Sequence, residues 1–128
     1  MIYNDKIFVI AEAGVNHNGN IKTAKKLVDA AIKCKADAIK FQTWKKGELT
    51  GKYAIKVDYI KKNISKKVSR YDLSNQYRLT FNDFKNLSKY CKKKGIIFLT
   101  TPDGFDSLKF VDKKLKLKVI KIGSTELN

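Results

Sequence analysis

The chain has 128 residues, 43% of them apolar, and carries 28 basic against 12 acidic side chains for a formal net charge of +16. That is the size of one ordinary domain with enough apolar residues for a core, and no stretch approaches the roughly 18 consecutive apolar residues of a membrane span. The start shows no basic segment followed by an apolar one, so no secretory leader is read and the expected compartment is the cytoplasm. The charge raises the idea of a nucleic-acid binder. Against it, only Arg70 and Arg78 are arginine, the residue that suits bidentate base and phosphate contacts. The lysines are also spread along every predicted helix, so neither a nucleic-acid nor a membrane partner is expected.

In chain order, Met1–Lys6 is a polar lead-in and Ile7–Ala11 reads as the first strand. The loop Glu12–Gly19 follows, with Asn18 or Asn20 placed to cap a helix. Apolar residues at 21, 24, 27, 28, 31 and 32 form one helical face, and Lys35 closes it. A second strand starts at Ala36 and ends at Thr43. From Trp44 to about Tyr71 no period holds, which predicts either a lid over the strand ends or a variable surface excursion. Leu73–Leu79 makes a helical turn, and Thr80-Phe81-Asn82-Asp83 resembles a capping box with Asp in place of Glu. Phe81, Phe84, Leu87 and Cys91 then repeat at helical spacing up to Gly95. Ile96–Thr100 is the third strand. A further helix turns Phe105, Leu108, Val111 and Leu115 inward, and Lys118–Ile122 is a fourth strand. Cys34 and Cys91 lack metal-ligand spacing and read as reduced structural thiols.

Strands alternating with helices through short connections predict parallel neighbours and right-handed crossovers. A doubly wound sheet and a TIM barrel both fit that order. No G-x-G-x-x-G fingerprint is present, which argues against a nicotinamide cofactor. Polar residues at all four strand tips favour the barrel. Alternation puts Glu12 on the side of Phe8 and Ile10, Lys40 and Gln42 on the side of Ala38, and Lys121 on the side of Val119 and Gly123. Lysines within apolar strands need anions. Lys40 and Lys121, with the Thr101 and Ser124 hydroxyls, suit a small phosphorylated and carboxylated ligand, and Gln42 joins them as a substrate-binding candidate. Glu12 and Glu126 then balance the charge, hold a sugar hydroxyl or act as general acid or base, or simply pair with the two lysines in a structural network. His17, the single histidine, reads as a hydrogen-bonding loop residue, and Asp103 as a helix cap. Trp44 is either a stacking surface for a sugar or a packed loop anchor.

Four stretches carry a resemblance to a known family. They are Ile10-Ala11-Glu12-Ala13-Gly14-Val15-Asn16-His17-Asn18-Gly19, Ala36-Asp37-Ala38-Ile39-Lys40-Phe41-Gln42-Thr43, Lys94-Gly95-Ile96-Ile97-Phe98-Leu99-Thr100-Thr101-Pro102 and Lys121-Ile122-Gly123-Ser124-Thr125-Glu126. In them the chain resembles the N-acetylneuraminate (sialic acid) synthases and their relatives that make legionaminic and pseudaminic acids. The resemblance implies an α/β protein of the TIM (β/α)8-barrel type. It also implies condensation of phosphoenolpyruvate with an N-acylated amino sugar such as N-acetylmannosamine, with water adding at C2 and phosphate leaving. A divalent metal, Mn²⁺ or Mg²⁺, activates the aldehyde in such enzymes. By resemblance Lys40, Thr101, Lys121 and Ser124 hold phosphoenolpyruvate, and Glu12 and Glu126 lie at the sugar and the reacting centre. Two positions depart from the family pattern: Thr125 stands where Gly is usual, and Asp103 where Phe often follows Ser-Thr-Pro.

Length departs more. A barrel takes about 250 residues, and four predicted strands are half of its eight. The family's metal-binding histidines lie on later strands, so no metal ligand is expected here. Residues 1–128 are therefore expected to be the N-terminal half of a synthase barrel, without the C-terminal half-barrel or the antifreeze-like domain, and inactive alone. The complete enzyme is expected to be a homodimer. The alternatives are another phosphoenolpyruvate-using sugar-acid synthase of the same barrel type and a non-enzymatic basic binding module.

Overall fold

The computed structural model describes residues 7–55 and 68–126. Three strands, β1 (Ile10–Gly14), β2 (Ala38–Thr43) and β3 (Ile97–Pro102), form a parallel sheet in the order β1-β2-β3. Helix α1 (Ile21–Lys33) connects β1 to β2. Helices α2 (Arg70–Gln76) and α3 (Phe81–Lys94) precede β3, and α4 (Phe105–Lys109) follows it. This is the predicted parallel β/α order. The predicted lead-in, the part of the predicted lid over 56–67 and the last two residues lie outside the described residues.

Local chemistry sets the helix ends. The Asn20 side chain accepts hydrogen bonds from the Lys22 and Thr23 amides at 2.8 and 3.2 Å, so Asn20 caps α1. At α3 the predicted capping box is present. The Asp83 amide donates to Thr80 Oγ1 at 3.1 Å, and the Thr80 amide donates to the Asp83 carboxylate at 2.9 Å. Gly95 closes the helix, as its position predicts. Helices α1 and α3 are tied at the surface by Asp29, which accepts from the Tyr90 hydroxyl at 2.8 Å and pairs with Lys94 at 3.2 Å. The Tyr90 hydrogen bond first, and then Lys94, hold the Asp29 carboxyl below its ordinary range.

Three expectations need correction. The strand predicted from Ile7 starts at Ile10, because the chain before it is held by Asp37: the Val9 amide donates to the Asp37 carboxylate at 2.7 Å. The fourth strand is not in the sheet. Residues 118–122 carry no ladder and run without regular structure into a short 3-10 turn, Ser124–Glu126. Val119 and Ile122 there are half exposed and the lysines at 116, 118 and 121 are exposed, so the burial that would fix a strand's pairing is missing. The last predicted helix also changes character. After Lys109 it widens into a π-helical turn, Phe110–Leu115, ended by Lys116 at φ +52°. The i→i+5 spacing rotates the inward face. Ser107, Phe110 and Val111 are buried, whereas Phe105 is 87% exposed and Leu108 is also outside.

The core fills the layer between the sheet and the helices. Phe41 and Phe98 stack at 5.8 Å between ring centroids, and Phe84 of α3 leans on Phe98 at 6.5 Å. Val28, Ala24, Leu87 and Cys91 close the cluster. Burial pushes the Cys91 thiol up to about 12, so it stays protonated, as a structural cysteine should. Cys34 is exposed at the end of α1. Within the sheet, Thr100 Oγ1 donates to the Phe41 carbonyl at 3.2 Å and lies 2.7 Å from Thr43 Oγ1. A carbonyl only accepts, so the Thr100 proton goes there and Thr43 donates to Thr100. Thr100→Val keeps the shape but leaves the buried Thr43 hydroxyl without its acceptor and takes one donor from the Phe41 carbonyl. Urea unfolding of this variant should show a loss of about 1–3 kcal/mol; an unchanged midpoint would show that the hydroxyl pair carries no stability.

Candidate anion-binding site at the strand tips

The side of the sheet away from these helices ends in a pocket of about 480 Å³ at the C-terminal tips of the strands. Its floor comes from β1 and β2. The register sets Glu12 opposite Lys40, and their side chains form an ion pair. The Lys40 side chain is only 14% exposed, so the pairing offsets the cost of holding an ammonium there. Directly after Glu12 the pairing slips by a residue, so that Gly14 faces Phe41. This bulge puts Gly14 at φ +49°, a left-handed conformation that glycine tolerates. It also keeps Gly14 close to the Glu12 and Gln42 side chains, which a methyl group there would touch at 3.5 and 3.7 Å.

Gln42 lines the pocket beside Lys40, as alternation along β2 requires. Thr101 enters from β3, and Lys121, Gly123 and Ser124 close the far wall. Six of the seven predicted site residues, Glu12, Lys40, Gln42, Thr101, Lys121 and Ser124, therefore stand around one cavity. Glu126, the seventh, is exposed on the 3-10 turn and lines a smaller neighbouring hollow of about 110 Å³ with Pro102, Phe105 and Ile122. It remains near enough to Asp103 to act on that carboxyl electrostatically.

His17 is fully buried behind the β1 loop. Its Nδ1 accepts from the Gly19 amide at 3.1 Å, and its ring lies 6.0 Å from Phe41. Burial lowers its proton affinity, so it is a neutral brace of the loop, the predicted hydrogen-bonding role. Trp44 is 2% exposed, which makes it a packed loop anchor.

The role predicted for Asp103 needs correction. Its position suggests a cap for the following helix, but α4 starts at Gly104 with no side-chain cap of its own. The cap comes from Glu48, in the loop after β2. One oxygen of Glu48 accepts from the Asp106 and Ser107 amides at 2.7 and 3.2 Å, and the other accepts from the Lys45 amide at 2.6 Å. A Lys45–Asp106 ion pair at 2.7 Å fastens the same junction. Asp103 instead lines the pocket, 7% exposed, and its Oδ2 has no hydrogen-bond partner among the described residues. The signal was available. If Thr101 faces the pocket from β3, alternation puts Asp103 on the same side. Nothing in the sequence announced Glu48.

Among the described residues no group of three or more His, Cys, Asp or Glu side chains is arranged to hold a metal ion, and no helix is long and apolar enough to cross a membrane. The described residues thus offer no complete ligand set for the divalent metal that the resemblance implies.

A parallel β/α unit with a lysine-bearing pocket at its strand tips belongs to the class of TIM-barrel proteins, whose active sites lie at that face. Residues 27–128 match the NeuB family, and the chain belongs to that family. It is 42% identical over 94% of its length to the N,N'-diacetyllegionaminic acid synthase of Legionella pneumophila, covering 33% of that protein. It is 32% identical over 94% of its length to the N-acetylneuraminate-9-phosphate synthase of Mus musculus, again covering 33%. Among solved structures, an N-acetylneuraminic acid synthetase of Leptospira borgpetersenii in complex with citrate superposes with a TM-score of 0.76 at 27% identity. That match covers 96% of this chain and 38% of the other. The chain thus spans about a third of the length of the curated relatives it matches.

Burial, and next the nearby Glu126 carboxylate, raise the Asp103 carboxyl from 3.8 to about 6. The folded chain then holds a proton that the unfolded chain has released, so this group costs stability as pH rises from about 4 to 6, and the full cost stands above that. Asp103→Asn should therefore be more stable than the parent at pH 7, by up to about 3 kcal/mol, and no different near pH 4. Thermal unfolding at the two pH values checks both halves.

Proposed function

We propose that this chain is the phosphoenolpyruvate-binding part of a nonulosonic acid synthase, acting as the N-terminal half of its barrel. One observation carries the reading: Lys40, Gln42, Thr101, Lys121 and Ser124, five groups suited to an anion, line the same pocket at the strand tips of a NeuB-family chain. Phosphoenolpyruvate brings a carboxylate and a phosphate, and the two lysines meet them as cations, with Thr101 and Ser124 as hydroxyl donors. Lys40 reaches its anion while keeping Glu12, so the carboxylate partner holds the ammonium in place before the ligand arrives.

The reaction joins phosphoenolpyruvate to an N-acylated amino sugar, and phosphate leaves after water has added at C2. This chain's residues bind and orient the phosphoenolpyruvate. Glu12 lies on the side where the sugar aldehyde approaches, and Glu126 handles the proton at the reacting centre. A divalent metal would supply Lewis-acid polarisation of the aldehyde, and the described residues offer no complete ligand set for it, so its ligands would come from the rest of a full-length synthase. Related synthases are named for legionaminic, pseudaminic and N-acetylneuraminic acids, and the amino sugar used here is an N-acylated one of that kind.

The test is this chain joined to the C-terminal part of a NeuB-family synthase, assayed for phosphate release from phosphoenolpyruvate with N-acetylmannosamine and Mn²⁺. The 128-residue chain alone serves as the inactive reference. Lys121→Met in the joined enzyme should raise the KM for phosphoenolpyruvate by about 10–150-fold, the worth of a charge-assisted contact, and leave that for the sugar nearly unchanged. Unaltered phosphoenolpyruvate kinetics would return Lys121 to a structural role. Glu126→Gln should lower kcat by about 10²–10⁴, and a variant with full kcat would pass the proton-handling role to Glu12.

A further inference from the structure

Two pocket residues have buried polar atoms that no described residue matches. Thr101 Oγ1 and Asp103 Oδ2 are both without hydrogen-bond partners, on side chains 3% and 7% exposed, two residues apart on one face of the β3 tip. Such groups cost stability and are rare without cause. Asp103 also has no duty at the helix behind it, because Glu48 already caps α4. Its carboxyl is left for whatever enters the pocket.

An incoming anion meets a mixed field. Lys40 from β2 and Lys121 from the segment after the π turn attract it. Glu126 from the 3-10 turn, Glu48 from the loop after β2 and Glu12 from β1 oppose it, with Glu12 already engaged by Lys40. An ionised Asp103 in the wall would set one more negative charge against the ligand. A protonated Asp103 removes that charge and offers an O–H donor beside the Thr101 hydroxyl.

We propose that Asp103 is an anion-binding residue that works in its protonated form, taking up a proton as a carboxylate- or phosphate-bearing ligand enters and donating it in a hydrogen bond to a ligand oxygen. This rests on the anion-pocket reading above and adds to it a donor whose sequence position suggests only a helix cap. The carboxyl already holds its proton up to about pH 6 in the empty pocket, and an anion beside it extends that range upward. Between those limits each bound anion carries in one proton. Affinity then falls about tenfold per pH unit.

The experiment is calorimetric titration of the 128-residue chain with sulfoacetate, a carboxylate–sulfonate dianion that neither gains nor loses a proton over the range used. Titrations run from about pH 6 to about pH 8.5 at fixed ionic strength, in two buffers of different ionisation heat. The parent should bind about ten times more weakly for each unit of pH and take up close to one proton per anion near pH 7.5. Asp103→Asn, with its fold checked by circular dichroism, should bind with nearly constant affinity, no proton uptake, and at least tenfold more tightly than the parent at pH 8. Flat binding by the parent, or the same pH dependence in Asp103→Asn, overturns the inference and leaves the anion pocket standing. Absence of binding by either protein at every pH overturns the anion pocket and the inference together.

Discussion

Glu12 and Lys40 stand opposite each other in the β1–β2 register, and the site depends on that pairing. A lysine in a strand this well covered is tolerable only with an anion in reach, and a one-residue slip would turn Glu12 to the other face. The ion pair and the burial of Ile39 and Phe41 favour the same register, which puts Lys40 and Gln42 on the pocket side and Ile39 and Phe41 in the helix-facing core. The bulge after Glu12 shifts the last pair, Gly14 with Phe41, where the chain turns toward α1. Fold and pocket floor are one solution to the problem of a charged pair at a strand end.

The overall charge of +16 gives a misleading picture of this pocket. Many of the lysines sit on exposed helix faces, such as Lys92, Lys93 and Lys94 at the end of α3, where water and the helix carbonyls accommodate them. At the strand tips, two lysines face several carboxylates. A chain with a large positive excess thus has a strand-tip pocket in which Lys40 and Lys121 are offset by nearby carboxylates. Net charge is a property of the surface; binding here is set by a few groups at short range.

Much of this was legible in the sequence, for identifiable reasons. Strands rich in Ile and Phe with polar tips, the α3 capping box and the 3.6-residue pattern of α1 are local signals, and they located β2, β3, α1 and α3, while the first strand starts three residues late and the fourth does not form. The alternation rule put Glu12, Lys40 and Gln42 on the pocket side because periodicity survives in the paired strands β1 and β2, whereas Lys121 reaches the same cavity from a segment that is not a strand. Asp103 was misjudged because a carboxylate before a helix has a common local role, and only tertiary structure shows that Glu48, 58 residues before the Asp106 amide it accepts, has taken it. The π-helical turn and the unpaired 118–122 segment had no sequence signature. One depends on a packing-driven phase change, and the other on ladder partners that periodicity does not report.

The junction between Glu48 and Gly104 has a bearing on how this protein can vary. Gly104 sits at φ +134°, and a β-carbon there would come within 2.6 Å of the Glu48 carboxyl carbon. The two positions are thus a single heritable unit: any side chain at 104 evicts the carboxylate that holds α4 and the root of the β2 loop together. Among relatives, glutamate at the first position should travel with glycine at the second. Lineages that lose the glycine must find their helix cap nearer to hand, and the residue after the Thr-Pro pair is the obvious recruit. Whether a carboxyl lines the pocket or guards a helix would then be decided by an exchange at positions 48 and 104.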